Sequence, residues 1–137
     1  MSMVSVQLSR IVIDEKRQDQ VIVLKETDGT RKFPIMIGPV EASSIKLKLA
    51  EVKPPRPLTH DLLVSTIEGL GARLEAVEID ALRNGTFFAK LVLNHSDGKT
   101  VRVDARPSDT IALAVRTQTP IFVADEVLDQ AAISEVE

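Results

Sequence analysis

Several residue types that support common protein chemistries are missing or scarce in this sequence of 137 residues. Cysteine is absent, which excludes disulfide bonds, a thiolate nucleophile and a zinc site held by cysteine. Tryptophan and tyrosine are absent and phenylalanine occurs four times, so a stacking surface for single-stranded nucleic acid is poorly supplied. The two histidines, His60 and His95, lie far apart in the sequence, which disfavours a histidine-rich metal site.

Long apolar runs are absent as well. No stretch reaches the roughly 18 apolar residues of a membrane-spanning helix, and Gln7, Ser9 and Arg10 interrupt the apolar start of the chain, unlike a signal peptide. We therefore expect a soluble, cytoplasmic protein without membrane contact. The formal net charge of −3 argues weakly against nucleic-acid binding. However, five acidic residues and no basic ones follow Gln118, so the rest of the chain is slightly positive.

The hydrophobic pattern predicts a single α+β domain with two mainly antiparallel β meanders, three main helices and a short C-terminal helix. Each meander has three strands, predicted at residues 2–13, 20–26 and 31–37 and at 72–83, 87–93 and 99–104. Asn84-Gly85 marks a hairpin turn, and Pro34 places its strand at an edge or a bulge. We expect one domain over residues 1–137, with a core at about 4–130, a charged turn at 14–19 and a frayed acidic tail at 131–137.

Helices are predicted at residues 40–52 and 59–70, from Pro107 onwards, and at 125–132 after a short strand at 121–123. In the first helix the residues expected on the apolar face are Ala42, Ile45, Leu49 and Val52, with Ser44 opposite them. In the second, Thr59 is the expected N-cap and Gly71 the stop. Its expected apolar stripe is Leu62, Leu63, Ile67 and Leu70, which leaves His60 and Asp61 in an exposed first turn. Apolar strand edges at 4–8 and 121–123 need covering, so a homodimer is expected.

Charged residues concentrate at residues 104–116, where a strand turns into a helix. Pro107 suits the first helical position, Ser108 is expected to cap backbone donors, and Asp109 lies where the helix dipole favours negative charge. The segment Arg106-Pro-Ser-Asp109 is echoed by Arg56-Pro-Leu-Thr-His-Asp61. Each places Arg-Pro before a helix, then a hydroxyl residue and an aspartate in the first turn.

This pair of motifs has two interpretations. Helix N-termini and arginine suit phosphate, and nearby carboxylates suit Mg²⁺ or Mn²⁺. His60 is a candidate general acid or base, so the motifs contain the parts of a phosphodiesterase site. Alternatively the charges only staple two helices, with Arg56 paired to Asp109 and Arg106 paired to Asp61.

Four motifs resemble the bifunctional nuclease (BFN) domain family, formerly catalogued as a domain of unknown function. They are Phe33-Pro-Ile-Met-Ile-Gly38 with Glu41-Ala42, Arg56-Pro-Leu-Thr-His-Asp-Leu62, Gly85-Thr-Phe-Phe-Ala89, and Asp104-Ala-Arg-Pro-Ser-Asp109 with the helix to Arg116. The resemblance implies an α+β domain and, from plant relatives, cleavage of DNA and RNA. The charged or polar motif positions that it carries over are Glu41, Arg56, His60, Asp61, Asp104, Arg106, Ser108, Asp109 and Arg116.

The leading hypothesis is therefore a nuclease of low sequence specificity. His60, Asp61 and Asp109 are the candidate catalytic residues, and a metal, Mg²⁺ or Mn²⁺, would be held by Asp61 and Asp109 with Asp104 or Glu41. The candidate phosphate-binding residues are Arg56, Arg106, Ser108 and Arg116. The alternative is a non-catalytic oligomeric module that binds a phosphorylated or carboxylated small molecule at the paired helix N-termini.

Overall fold

The chain folds into strands and helices in the order that the hydrophobic pattern predicts. A computed structural model describes residues 2–14 and 19–133. The strands are β1 (Met3–Asp14), β2 (Asp19–Glu26), β3 (Lys32–Ile37), β4 (Ala72–Arg83), β5 (Thr86–His95), β6 (Thr100–Ala105) and β7 (Ile121–Ala124). The helices are α1 (Pro39–Leu49), α2 (Thr59–Gly69), α3 (Pro107–Thr117) and α4 (Asp125–Ala131). The predicted α+β class is confirmed.

A single seven-stranded sheet joins the two predicted meanders. Its strand order is β3-β2-β1-β7-β4-β5-β6, so β7 lies between the meanders. β7 pairs antiparallel with β1, where Val4 faces Val123, and parallel with β4, where Val77 faces Ile121. The segments 4–8 and 121–123 were expected to be open apolar edges, and that expectation is wrong because they lie at the centre of the sheet. The homodimer stays a prediction, but without this reason.

Local signals in the sequence placed the turns and one edge correctly. Asn84 and Gly85 have φ angles of 51° and 78°, the conformation that a tight two-residue hairpin turn requires. Pro34 lies in β3, an outermost strand, where the missing N–H group of proline is tolerated. Gly71 follows α2 with a φ of 83°, as expected of a residue that ends a helix.

Helix α3 is the helix at the centre of the packing. Ile111, Leu113 and Ala114 are buried in the core, and α3 contacts both α1 and α2. Pro107 is the first helical residue, as predicted, but the N-cap is Arg106 rather than Ser108. The reason is that a residue before proline favours extended backbone, which is the N-cap conformation. Ser108 is therefore already helical, and it is buried.

The predicted apolar faces of α1 and α2 are partly wrong. Ala42 and Ile45 are buried as expected, but Ser44 is buried too. The expected core residues that are exposed instead are Leu49, Val52, Leu62, Leu63 and Leu70. Helical spacing identifies an apolar stripe, but the stripe is buried only where a neighbouring element covers it. Helix α2 contacts α3 and β4, and the residue of α2 that is buried is His60.

An arginine connects the turn between β2 and β3 to helix α4. Arg31 Nη2 lies 2.8 Å from Glu26 Oε2 and 2.9 Å from Asp125 Oδ1, and Nη1 lies 2.6 Å from Asp129 Oδ1. The hydrogen bond from Arg31 lowers the pKa of Glu26 to about 2. These contacts fix α4 against the first meander.

Two sequence predictions extend beyond the described residues. The charged turn at 14–19 includes residues 15–18, and the acidic tail includes 134–137, all of which lie outside the described residues. None of the helices in the described ranges has the length and apolar character needed to cross a membrane.

Candidate active site

Polar side chains from α1, α2 and the start of α3 form one connected network. Arg106 Nε donates a hydrogen bond to Asp109 Oδ2 at 2.9 Å, while Arg106 Nη2 lies 3.3 Å from Asp109 Oδ1 and 3.2 Å from Glu41 Oε2. His60 Nε2 lies 2.9 Å from Asp109 Oδ1, and His60 Nδ1 lies 2.7 Å from Ser44 Oγ. The network thus runs from an exposed arginine to a buried serine through one carboxylate and one imidazole.

His60 is buried, with 7% of its surface exposed, although an exposed first turn was predicted for it. The N-cap of α2 is Leu58 rather than Thr59, and the Leu58 N–H donates to Asp61 Oδ2 at 2.9 Å. Asp61 thereby caps the helix from its third position, and Thr59 becomes the first helical residue. With the helix start set one residue earlier, His60 faces α1 and α3, where its two ring nitrogens meet Ser44 and Asp109.

The carboxylate at the centre of the network is held in its charged form. Burial would raise the pKa of Asp109, but hydrogen bonds from Arg106 and from His60 outweigh it, and the pKa lies below its ordinary value. The same contact with Asp109 raises the pKa of Arg106. Because an ionised carboxylate only accepts hydrogen bonds, Nε2 of His60 carries the proton on that side. In the neutral imidazole, Nδ1 is then the acceptor for the Ser44 hydroxyl.

A second polar link lies beside the network and joins α2 to the end of α3. Arg116 Nε donates to Asp61 Oδ1 at 2.7 Å, and the Arg116 side chain is only 6% exposed. Its guanidinium also donates to the carbonyl oxygens of Ala112 and Ser44. The Leu58 N–H group, followed by Arg116, lowers the pKa of Asp61 in spite of its partial burial. Asp61 is therefore engaged with Arg116, and Asp109 with Arg106 and His60.

The helix-stapling alternative predicted the wrong partners. Arg106 pairs with Asp109 of its own helix rather than with Asp61. Arg56 lies exposed in the connector before α2 and forms no ion pair with the residues that the structure describes. The other distant candidate is Asp104, which lies on β6 with its carboxylate 3.8 Å from Lys90 Nζ and 79% exposed. Arg56 and Asp104 are thus not part of the network.

The four carboxylates proposed as metal ligands do not assemble into a preformed metal site. Asp61 contacts Arg116, Asp104 contacts Lys90, and Asp109 and Glu41 share Arg106. Across residues 2–14 and 19–133, no three histidine, aspartate or glutamate side chains come close enough to hold a metal ion. Oxygen ligands for Mg²⁺ or Mn²⁺ must converge on one point, whereas these carboxylates are paired with three different cations, Arg116, Lys90 and Arg106.

Ser44 is the member of the network that the sequence prediction missed. It was assigned to the exposed face of α1, yet it is buried and bonded to His60. Its position between Ala42 and Ile45, both buried, was the available signal. A serine beside two core residues in a helix is buried with them when the helix contacts a neighbour on that side.

A cavity of about 640 Å³ opens beside the start of α3. Arg106, Pro107 and Ser108 form one wall of the cavity. The other wall is formed by residues 34–38 of β3 and its C-terminal end and by residues 85–87 at the start of β5. The first N–H groups of a helix lack intrahelical acceptors and favour anions. Ser108, in the cavity wall, adds a hydroxyl that has no hydrogen-bond partner among the described residues.

Comparison with known proteins places these residues in a family context. The sequence profile described as the bifunctional nuclease domain matches residues 22–136. An uncharacterized protein of Mycobacterium tuberculosis is 42% identical over 123 residues, which cover 90% of this chain and 73% of that protein. Bifunctional nuclease 2 of Arabidopsis thaliana is 30% identical over 105 residues, covering 74% of this chain and 32% of the plant protein. Bifunctional nuclease 2 of Oryza sativa subsp. japonica is 27% identical over 128 residues, covering 91% of this chain and 39% of the plant protein. The chain therefore spans about a third of the length of these plant relatives.

Proposed function

This chain belongs to the bifunctional nuclease domain family, and we propose on that basis that it hydrolyses phosphodiester bonds of DNA and RNA with low sequence specificity. The observation that carries the proposal is the contact of His60 and Arg106 with the same oxygen, Asp109 Oδ1. A proton-transfer group and a phosphate-binding cation thus contact the same carboxylate oxygen.

Arg106 is the group that meets the substrate phosphate in this proposal. Its side chain is 65% exposed, and its Nη1 has no partner among the described residues. A guanidinium presents a planar fork to two phosphate oxygens, and its charge stabilises the negative charge that develops in the transition state. Ser108 lies in the wall of the adjacent cavity, and its hydroxyl and N–H groups add donors to the phosphate. Pro107 has no N–H group, and the N–H group of Asp109 already donates to the carbonyl oxygen of Arg106.

His60 moves the proton. Asp109 accepts from Nε2 and fixes the ring, so that Nδ1 is the basic nitrogen. Nδ1 takes a proton from the water molecule that attacks the phosphorus atom and passes it to the leaving oxygen as the P–O ester bond breaks, a role that typically contributes about 10²–10⁴-fold to the rate. Ser44 Oγ is the hydroxyl that Nδ1 contacts in this structure.

The proposal includes assistance of the hydrolysis by Mg²⁺ or Mn²⁺. The carboxylates do not converge on one point, and the roles of His60 and Arg106 in the proposal rest on their own contacts with Asp109. A metal that arrives with the substrate phosphate would take its remaining ligands from water and phosphate oxygens, as Mg²⁺ commonly does. Its contribution is read directly from the dependence of the rate on added metal.

The experiment uses the purified chain with supercoiled plasmid DNA and with single-stranded RNA. Each substrate is incubated with Mg²⁺, with Mn²⁺ and with a chelator. We expect cleavage by the unaltered protein and loss of at least about 10²-fold in His60→Ala and Asp109→Ala. His95→Ala is the matched control, because His95 lies in the β5–β6 turn and contacts Asp97. Cleavage that persists unchanged in both site variants would show that the activity arises elsewhere.

The second candidate is a non-catalytic oligomeric module that binds a phosphorylated or carboxylated small molecule. The cavity beside Arg106 and Ser108 favours it, because its volume suits a nucleotide-sized ligand. Thermal shift in metal-free buffer distinguishes the two. Stabilisation by small anions but not by oligonucleotides supports the module, and the reverse supports the nuclease. For the oligomer, β6 is the supporting feature, because this outermost strand exposes Val101 and Val103.

A further inference from the structure

An apolar groove of about 400 Å³ lies between α1 and the first turn of α2. Ser44 and His60 both lie in its wall. The rest of the described lining is Pro39, Val40, Leu47 and Leu58, with the hydroxyl residues Ser43 and Thr59. None of these lining residues carries a fixed charge, whereas a nucleic-acid strand requires positive charge along its path. The groove therefore suits an uncharged ligand with an apolar part.

The polar network ends in this groove with the order of groups of a hydrolytic triad: carboxylate, imidazole and serine hydroxyl. The two ring nitrogens are exchanged relative to the Ser-His-Asp triad, in which the carboxylate binds Nδ1 and the serine contacts Nε2. Asp109 accepts from His60 Nε2 at 2.9 Å, and His60 Nδ1 lies 2.7 Å from Ser44 Oγ. The charge of Asp109, held by Arg106, places the imidazole proton on Nε2. Nδ1 then accepts the hydrogen bond from the Ser44 hydroxyl. Such triads are recognised by geometry and roles, and they recur on unrelated folds in different chain orders.

We propose that Ser44 is a nucleophile and that the groove hydrolyses uncharged carboxylic esters with an apolar acyl group. His60 is the general base and acid, and Asp109 is a positioning residue that fixes the imidazole tautomer. This activity differs from phosphodiester hydrolysis in its nucleophile and its substrate, because Ser44 Oγ attacks an uncharged carbonyl group in the apolar groove. Phosphodiester hydrolysis also needs Arg106 at the phosphate, and the two reactions share His60 as the proton-transfer group.

The reaction proceeds in two steps. Ser44 Oγ attacks the carbonyl carbon while its proton passes to His60 Nδ1, and the collapse of the tetrahedral intermediate breaks the bond to the alcohol oxygen. The alcohol leaves with the proton from Nδ1. Water then attacks the acyl-serine, giving a proton to Nδ1, and this proton returns to Ser44 Oγ as the carboxylic acid is released. No oxidant or further reactant is required.

The first turn of α2 supplies donors for the oxyanion of the intermediate. The N–H groups at a helix start have no intrahelical acceptor, and here that of Leu58 is taken by Asp61. The next residues, Thr59 and His60, both line the groove. Their N–H groups and the positive end of the helix dipole stabilise negative charge on a substrate oxygen beside Ser44.

The competing explanation is a buried polar link that only fixes α1, α2 and α3 to one another. Both explanations place Ser44 in hydrogen-bond contact with His60, but they differ in reactivity. A fluorophosphonate reacts with a serine hydroxyl that an adjacent base activates and leaves an ordinary serine unmodified. Covalent labelling of the unaltered protein therefore separates them without relying on any variant.

The test treats the full chain with a fluorophosphonate probe and locates the adduct by peptide mass spectrometry. Hydrolysis of p-nitrophenyl acetate, butyrate and octanoate is measured in parallel. We expect one adduct on Ser44 and faster hydrolysis of the longer acyl groups. In Ser44→Ala the adduct disappears and ester hydrolysis falls by about 10³-fold or more. His60→Gln slows labelling by about 10²-fold or more.

Ser65→Ala is the matched control, because Ser65 lies exposed on α2 outside the groove, and both readouts are expected to be unchanged in it. Circular dichroism confirms that each variant is folded. An unlabelled Ser44 in the unaltered protein, or ester hydrolysis that is the same with and without the Ser44 hydroxyl, overturns the proposal. Neither readout involves nucleic acid, so the result is independent of the nuclease assay.

Discussion

Arg116 Nε lies 2.7 Å from Asp61 Oδ1, and this ion pair ties the start of α2 to the end of α3. The same guanidinium donates to the backbone carbonyl oxygen of Ser44 on α1. One buried arginine thus connects the three helices that carry the polar network. A catalytic role for Asp61 and a phosphate-binding role for Arg116 stay predictions, but the contacts also give both residues a structural role.

Replacing Arg116 is expected to destabilise the fold. Arg116→Ala removes the guanidinium donor from Asp61 Oδ1 and from two carbonyl oxygens, and breaking a largely buried pair in this way costs about 2–4 kcal/mol. The free energy of unfolding from urea denaturation measures the loss. Arg102→Ala on β6, where the side chain is 57% exposed, serves as the control and is expected to change stability by less than about 1 kcal/mol. Equal effects of the two substitutions would contradict the structural role of Arg116.

The charge of Asp109 is expected to matter more for activity than for folding. Asp109→Asn keeps the size of the side chain, but an amide no longer requires the imidazole proton on Nε2, so Nδ1 is no longer held as the base. We expect nuclease and ester-hydrolysis rates to fall by about 10²-fold or more, with the melting temperature shifted by a few degrees at most. Initial rates and thermal melts of the same preparation provide the comparison. Unchanged rates would show that the tautomer of His60 does not control either reaction.

Arg56 is expected to affect nucleic-acid binding without affecting stability. It is exposed and forms no ion pair with the described residues, so its removal leaves no group unpaired. Arg56→Ala should weaken oligonucleotide binding and reduce the slope of log K against log salt by about 1 if this arginine contacts one phosphate. Fluorescence anisotropy between low and moderate salt measures the slope. An unaltered slope would remove Arg56 from the phosphate-binding residues.

The contact between Glu26 and Arg31 predicts a pH dependence of stability. The pKa of Glu26 is lowered from 4.5 to about 2, so the folded state favours the charged carboxylate. Its stabilising contribution is therefore fully present above about pH 4.5 and is lost as the pH falls toward 2. Melting temperatures of the unaltered protein and of Glu26→Gln should differ at pH 6 and approach each other near pH 2. Glu68→Gln, an exposed substitution on α2, should show no such pH-dependent difference.

The fold was largely predictable from local signals. Signals that act over a few residues predicted the strands, a hairpin turn, an edge strand and a helix start. These signals are the alternating apolar residues, Asn84-Gly85, Pro34 and Pro107, and the structure confirms the element that each predicted. The position of β7 was not predictable in this way. The strand β7 is a short apolar segment of four residues. Only its pairing with β1 and β4 shows that it forms the centre of the sheet. Pairing between distant segments leaves no periodic trace in either segment.

The site was predicted by residue type but not by arrangement. Arg106 and Asp109 were identified, and they do form a pair; His60 was identified, but as an exposed residue. Ser44 was missed because helical spacing assigned it to the polar face of α1. The four residues come together only because α1 and α2 both pack against α3, and that packing depends on the core as a whole.

The central position of β7 also sets the order in which the protein can be completed during synthesis. Both meanders leave the ribosome before residues 121–124, and until then the inner edges of β1 and β4 have no strand to pair with. Unpaired strand edges are templates for aggregation. The nascent chain therefore exposes the edges of β1 and β4 for a time, and these edges are covered once β7 has paired with them. A chain interrupted before Ile121 is accordingly two open three-stranded sheets rather than a shortened version of this protein.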